Sequence, residues 1–217
     1  MKKWIPAALL LALAACNSEN KPAGDGQPVV AAATSETAPA DIKPKAKPDS
    51  ATQAQNWQMY MTPGPEHRLL KEANGNWEAE VTMWMAPGAP AQTSTMSTEN
   101  KMLLGDRYQQ SASKGQMMGM PFEGISTVGF DNHKKKYIST WIDNMGTGMM
   151  MMEGAYDSTT KTINFAGKMI DPATGEECEE RETYTVIDKD HHLLQMYAKD
   201  EAGKEFKVMQ IHYRRKK

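Results

Sequence analysis

Hydrophobic and polar side chains alternate with a period of two along most of the chain from residue 76 onward. The first run, NWEAEVTMWM at 76–85, puts Trp77, Val81 and Met83 on one side, with glutamate and threonine on the other. Such alternation is typical of a strand with one buried face. Runs of similar length follow at 96–104, 107–114, 122–130, 135–143, 148–156, 161–169, 177–187, 191–199 and 204–215.

Short polar segments join these runs, and many place an aspartate where a strand ends, as in YDSTTKTI and IDKDHHLL. Aspartate forms such turns by bonding backbone groups two residues further on. Strands joined by short hairpins pair antiparallel, because parallel pairing requires long crossover connections. Closure into a barrel also removes the exposed sheet edges. The pattern predicts an all-β fold: an antiparallel meander of about ten strands closed into a barrel, after a short helix at 65–74.

Residues of equal parity share one face of a strand, so the alternation also predicts which side chains point into the barrel. The predicted inward set is Trp77, Val81, Met83, Tyr108, Phe122, Trp141, Met150, Met152, Tyr156, Phe165, Tyr184 and Tyr213. Eight-stranded barrels have room for side chains or one small ligand, and a ten-stranded barrel is wider. We therefore expect a lumen that binds a small apolar or amphipathic molecule. The residues expected to line it are Met83, Phe122, Tyr137, Trp141, Met150, Met152 and Tyr156.

The N-terminus has the pattern of a processed leader. Two lysines precede a short apolar stretch at 4–12, and small residues then lead to Cys16. The stretch is shorter than the ~20 apolar residues that a membrane-spanning helix needs, which indicates a signal peptide at 1–15. The tetrapeptide LAAC resembles the lipobox of bacterial lipoproteins. This resemblance implies cleavage before Cys16, acylation of that residue and attachment to membrane lipid.

Residues 16–59 are rich in Ala, Pro, Ser, Thr and charged residues and poor in large hydrophobic ones. Such a segment buries too little apolar surface to offset the entropy of ordering it, so we predict a disordered linker. About 40 residues of this kind reach roughly 35 Å. The barrel domain is then expected at 60–217. The aspartate that resembles an inner-membrane retention signal does not follow Cys16, which favours the outer membrane, with the domain facing the periplasm.

Charge and cysteine content exclude two classes of protein. The chain has 25 Lys+Arg and 27 Asp+Glu, a balance that gives no electrostatic case for binding nucleic acid. Cys178 is the one cysteine besides Cys16. Because Cys16 is predicted to be lipidated, no disulfide framework is expected.

The polar residues give little indication of a catalytic site or a haem site. No nucleophile elbow, phosphate loop or zinc motif is present. Asp143 and Glu153 flank the segment 145–152, Glu66 and His67 could sit at a barrel mouth, and a pair of acids with a histidine could perform proton transfer. Carboxylates of these kinds more often form salt bridges or turns, so no catalytic residue is assigned. His212 has outward parity on the last strand, and no cofactor is predicted.

Methionine is over-represented, with 18 in 217 residues. Thioethers are soft ligands that suit Cu(I) or Ag(I), whereas unbranched methionines also line irregular apolar pockets. The run at 149–152 contains four methionines, and strand neighbours point to opposite faces, so at most two of them converge. We expect pocket lining, keep soft-metal binding as an alternative, and assign no metal ligand.

The start of the first strand, Gly75-Asn76-Trp77, is similar to the G-x-W signature of the calycins, the lipocalin and avidin superfamily. In that superfamily an arginine of the last strand packs across the tryptophan ring. The resemblance therefore implies such a contact here, and shared parity with Tyr213 selects Arg215 for it. A guanidinium over an indole ring stabilises by ~0.5–2 kcal/mol, so the pair is a structural signature.

The stretch from about residue 66 to 216 resembles a bacterial family called domain of unknown function 1579. The matching segments are GNWEAEVTMWMAPGAP, LLGDRY, MMGMPFEG, GFDNHKKKY, STWIDNMGTGMM and the terminal YRRK. This resemblance implies a calycin-like barrel and no defined activity. The sequence as a whole favours a membrane-tethered envelope lipoprotein that binds a small ligand over an enzyme. The alternatives are a Met-rich copper or silver binding protein and a structural envelope module without a ligand.

Overall fold

The fold contains two helices and ten strands. The structure is a computed structural model that describes residues 47–172, 174–200 and 202–217. The helices are α1 Ser50–Met61 and α2 Pro65–Glu72. The strands are β1 Gly75–Met83, β2 Gln92–Leu103, β3 Tyr108–Met117, β4 Met120–Asp131, β5 Lys136–Asp143, β6 Met150–Asp157, β7 Thr162–Ile170, β8 Glu177–Val186, β9 His191–Lys199 and β10 Glu205–Arg215. The all-β prediction is confirmed, and every predicted strand is present.

The strands form one closed antiparallel barrel. Each strand pairs with the next along the chain, and β1 pairs with β10 to complete the ring. The closing register sets Trp77 opposite Arg215 and Val81 opposite Ile211. Closure pairs the backbone groups that would otherwise be exposed along two sheet edges. We call the end where β1 begins and β10 ends the closed end, and the opposite end the open end.

Helix α2 covers the closed end. It begins at Pro65, the position where the missing amide hydrogen has no helical partner to lose. Its buried Leu70 joins the apolar interior, and the Gln109 side chain donates to the Leu70 carbonyl. The residue after the helix, Ala73, accepts hydrogen bonds at 2.9 Å from the Trp77 indole and at 3.0 Å from the Asn100 amide. Side chains from three strands therefore hold this helix in place.

Helix α1 lies where the sequence predicted the last part of the linker at 16–59. Asp49 caps its first turn by accepting a hydrogen bond at 2.7 Å from the Thr52 amide. All of its residues are exposed, so neither hydrophobic periodicity nor burial signals it. The predicted signal peptide and Cys16 lie outside the described residues. No helix in the described part of the chain is long and apolar enough to cross a membrane.

The strand registers place the predicted inward residues on the inner face, with one exception. Tyr108 pairs with Gly129 on the outer face and is 42% exposed. A Cβ atom on Gly129 would lie 2.6 Å from the Tyr108 ring, so the ring covers this glycine from outside. The prediction for Tyr108 was wrong because the turn before it, at 104–106, has three consecutive positive φ values that reset the alternation.

Candidate functional site: the barrel lumen

Three of the predicted lining residues come together toward the open end. Met83 and Trp141 pack against a group of buried residues that includes Phe122. The rings of Phe122 and Trp141 are stacked, with centroids 6.3 Å apart and planes 19° from parallel. The Trp141 indole also donates to Asp143 at 2.7 Å, which holds the ring against the wall. This part of the wall is apolar and aromatic.

Two of the other predicted lining residues lie deeper. Tyr137 and Met152 are fully buried in a second apolar group that also contains Leu70 of α2. The Tyr137 hydroxyl donates to the Glu66 carbonyl at 3.3 Å, and burial raises its pKa. These residues therefore form the floor of the lumen. Met150 packs against this group but is the register partner of Trp141, so it lies toward the open end. Tyr156 has inward parity but sits near the end of its strand and is 37% exposed.

The signature residues Gly75, Trp77 and Arg215 meet at the closed end. The Arg215 guanidinium lies 4.2 Å from the centre of the Trp77 ring, and the His192 ring lies 4.5 Å from it. Arg215 also donates to the carbonyls of Glu72, Asn74 and Lys189. Gly75 has φ of +117°, and a Cβ there would lie 3.1 Å from the Arg215 guanidinium. This network closes the base of the barrel.

The inner wall is not equally filled on all sides. Trp77, Ala79 and Val81 of β1 are fully buried. On β9 and β10, the inward apolar side chains Leu194 and Ile211 remain half-buried although they occupy the middle of their strands. If the barrel were packed to the usual density of protein interiors, its inward side chains would have no accessible surface. The lumen therefore contains unfilled space beside these strands.

Two depressions lie at the open end and reach the inner wall. The larger has a volume of about 650 Å³ and includes the inward-facing Met83 and Met117. The smaller has a volume of about 470 Å³; Gly167, Glu180 and Ala198 line it from the inner face, and its other lining residues, such as Lys168 and Arg181, are on the outer face. Small-molecule sites commonly have volumes of ~300–1,000 Å³, so either depression has a suitable size.

Two carboxylates face the lumen from β8. Glu182 lies between Phe165 of β7 and Met196 of β9, and Glu180 lies beside Gly167 of β7. One carboxylate oxygen of Glu180 is buried without a hydrogen-bond partner. Burial raises the pKa of both carboxyl groups to about 7, because leaving water disfavours the charged form. Such uncompensated acids are uncommon in protein interiors and mark this wall as a functional candidate.

Sequence reasoning missed Glu180 and Glu182. The segment ECEERETYTV carries charged or polar residues on both faces of β8, so the alternation is hidden. The parity of Tyr184, which was predicted to face inward, was the signal that could have identified both. Tyr184 itself lies 2.6 Å from His192 through its hydroxyl group. Burial, followed by the nearby Arg215, lowers the pKa of His192 to about 4, so this histidine is neutral at pH 7.

The methionines are concentrated on the inner wall. By strand register, ten of the 18 face the lumen: Met83, Met96, Met102, Met117, Met120, Met150, Met152, Met169, Met196 and Met209. Met149 and Met151 are outside, 70% and 61% exposed, which confirms that the four consecutive methionines divide between two faces. Within the described ranges, no group of three or more His, Cys, Asp or Glu side chains is placed to hold a metal ion.

Asp143, Glu153 and His67, which were considered for proton transfer, do not converge. Asp143 faces inward at the open end and accepts from Trp141. Glu153 faces outward and bonds two lysines at 2.9 Å each. His67 lies at the closed end, where its Nδ1 atom accepts a hydrogen bond from the Gly64 amide and burial lowers its pKa. The pair of Asp143 and Glu153 is thus separated by the barrel wall.

Comparison with known proteins supports the family and the fold. The family model described as "Protein of unknown function (DUF1579)" matches residues 62–215. The chain is also similar to the crystal structure of Rv2717c from M. tuberculosis, with a TM-score of 0.52 and 12% identity, covering 72% of this chain and 100% of that one. At this identity the likeness concerns the fold alone. No curated protein matches the chain. The predicted family is confirmed: the chain belongs to the DUF1579 family, a family of unknown function that here forms a ten-stranded antiparallel barrel.

Proposed function

We propose that this protein is a membrane-tethered envelope lipoprotein that binds a small hydrophobic or amphipathic molecule in the barrel lumen. The tether is the segment from an acylated Cys16 to the first helix, anchored in the outer membrane with the barrel in the periplasm. The lumen wall combines aromatic rings, methionines and a few polar groups. Such a composition suits recognition by contact area, with orientation set by a small number of polar side chains.

The observation that carries the proposal is the half-buried state of the inward apolar side chains on β9 and β10. These side chains have accessible surface that a ligand would cover. Burying apolar area contributes roughly 25 cal/mol per Å², from which the cost of immobilising the ligand is subtracted. Flexible methionines adapt to guests of different shape, so the same wall accommodates a range of apolar groups.

Native mass spectrometry of the protein extracted gently from its own envelope tests the proposal. We expect an adduct with the mass of a small organic molecule. The substitution Met196→Trp fills the lumen beside Glu182 and should remove the adduct. The matched control is Gln195→Trp, the adjacent position on the outer face of β9, which should keep it. A protein that carries no adduct and takes up none from an envelope lipid extract would contradict the proposal.

A soft-metal carrier is the second candidate, and the ten inward-facing methionines favour it. The inner face also carries Cys178, which pairs with Met169 in the register of β7 and β8. The same mass spectra separate the two candidates, because Cu(I) or Ag(I) adds the mass and isotope pattern of the metal. Metal adducts without an organic adduct would support the second candidate over the first.

A further inference from the structure

The lumen wall carries negative charge without a matching cation. Along the ten strands, the inward-facing acidic residues are Asp143, Glu180 and Glu182. Arg215 is the one inward-facing lysine or arginine in these strands, and it lies at the closed end against Trp77 and several carbonyl groups. It also pairs with Asp190 at 3.2 Å. No basic side chain of the wall is therefore directed at Glu180 or Glu182.

The basic residues around the smaller depression have other carboxylate partners. Lys168 contacts Glu177 at 2.6 Å, Arg181 contacts Glu205 at 2.6 Å, and Lys199 contacts Glu179 at 2.8 Å. All of these pairs lie outside the barrel, on the side chains that alternate with the inward ones. Glu180 lies within the same depression, yet none of its neighbouring cations is bonded to it.

Space is available next to both carboxylates. Glu180 and Ala198 line the smaller depression, whereas Gly167, opposite Glu180, is covered by Met152, whose Cγ would lie 2.8 Å from a Cβ on that glycine. One oxygen of Glu180 is buried with no hydrogen-bond partner. The carboxyl group of Glu182 is enclosed between an aromatic and a methionine neighbour, and the accessible surface that it retains faces the lumen.

We propose that the lumen ligand is an amphipathic organic cation, whose charged nitrogen is held by Glu182 and Glu180 while its apolar part covers the β9–β10 wall. This inference rests on the proposed function and names its ligand class. A carboxylate attracts a nearby cation more strongly in a partly buried site than in water, because the effective dielectric constant is lower there. Tyr184 and Tyr213 extend the site, with ring centroids 6.4 Å apart, and electron-rich ring faces also attract cations.

Isothermal titration calorimetry with three decyl surfactants below their micelle concentrations tests this inference. The probes are decyltrimethylammonium, its nearly isosteric uncharged counterpart decyldimethylamine N-oxide, and decyl sulfate. The protein is the chain from residue 16 onward with Cys16→Ser, so that neither the leader nor an attached acyl group sequesters the probe, at pH 8, where both carboxyl groups are mostly ionised. We expect the ammonium probe to bind roughly tenfold or more tighter than the N-oxide.

Two variants identify the carboxylate that causes the preference for the ammonium probe. Glu182→Gln should reduce the preference for the ammonium probe over the N-oxide probe to about twofold or less. Glu179→Gln removes an identical charge from the outer face of the same strand, and it should keep the full preference.

Three outcomes are decisive. Equal binding of the ammonium and N-oxide probes overturns the inference but leaves the proposed function standing. A preference that survives the double change of Glu180 and Glu182 to glutamine also overturns it, since the preference then arises elsewhere. Failure of all three probes and of envelope lipid extract to bind overturns the proposed function itself.

Discussion

At the scale of single residues, the most unusual feature is a pair of half-buried, inward-facing carboxyl groups, Glu180 and Glu182, without counter-charges. The pKa of Glu182 rises from its ordinary value of 4.5 to about 7 in the folded protein. Between these pH values the folded protein holds a proton that the unfolded chain has released. The free energy of unfolding therefore falls as pH rises from about 4.5 to 7. The lowered pKa of His192 has the opposite effect on the free energy of unfolding. The stability that His192 contributes is present above pH 6.5 and is lost as pH falls toward about 4.

The substitution Glu182→Gln should therefore stabilise the unliganded protein at pH 8 and have little effect at pH 5. The expected gain in the free energy of unfolding at pH 8 is up to roughly 3 kcal/mol, the equivalent of the pKa shift. Urea unfolding at the two pH values measures it, with Glu179→Gln as the exposed control. A variant that is less stable than the parent at pH 8 would show that Glu182 has a favourable partner.

A second residue-scale prediction concerns Arg215. Lysine keeps the charge, but it cannot make the same hydrogen bonds to three carbonyl groups or the planar contact with Trp77. Arg215→Lys should lower the free energy of unfolding by roughly 2–3 kcal/mol. Arg214→Lys, at the exposed neighbouring position, should change it by less than about 0.5 kcal/mol. Equal effects in urea denaturation would refute the assignment of a sealing role to Arg215.

At the scale of elements, helix α1 is held to the barrel through very few contacts. The Asn132 amide, in the turn after β4, donates to the carbonyls of Met59, Tyr60 and Thr62. The Arg107 guanidinium, in the turn before β3, donates to the Met61 carbonyl at 2.7 Å. Both contacts are at the C-terminal end of the helix, where carbonyl groups lack helical partners. Two turns of the barrel thus cap the helix from outside.

We predict that Asn132→Ala releases α1 without unfolding the barrel. Losing these bonds should speed hydrogen exchange in residues 50–61 by roughly tenfold, while exchange in the strands stays unchanged. Hydrogen-exchange mass spectrometry measures both regions in one experiment. His133→Ala, the next position in the same turn, is the control and should leave the exchange of α1 as it is. Unchanged protection of 50–61 in Asn132→Ala would contradict the capping role.

The strands were predictable from the sequence because alternation and turn chemistry are local signals. Every run of period two corresponds to an observed strand, and short hairpins led directly to an antiparallel ring. Tyr108 was assigned to the wrong face because the turn before it has positive φ values, which shift the alternation of inward and outward residues. The amino-acid sequence alone does not show this shift. Helix α1 was missed because its stability depends on partners far along the chain, including Asn132.

The candidate site was less predictable than the fold. Parity identified apolar residues such as Trp141 and Met150 as inward-facing, but it does not report depth, and Tyr137 proved to be part of the floor. Unfilled space beside β9 and β10 depends on the packing of many side chains at once. The isolation of Glu182 depends on which strands neighbour β8 and on the direction of every nearby cation. These are properties of the assembled barrel and have no local signature.

At the scale of the whole molecule, the predicted lipid anchor and the barrel form two functional parts. We predict that the N-terminal peptide of the parent protein begins at Cys16 and carries acyl groups, and that Cys16→Ser abolishes this acylation, because the thiol that takes the lipid is gone. Mass spectrometry of the N-terminal peptide detects the acyl groups. Cys178→Ser is the control and should keep them. A parent protein without acyl groups on Cys16 would contradict the lipoprotein assignment.

The position of the two N-terminal helices affects how a ligand reaches the lumen. The polypeptide enters the fold at the closed end, which α2 covers, so any attachment upstream of residue 47 is connected to that end. The opening and the point where the chain enters are therefore at opposite ends of the barrel. Under the proposed attachment at Cys16, this arrangement favours uptake of a ligand delivered through water over direct extraction from the supporting lipid leaflet.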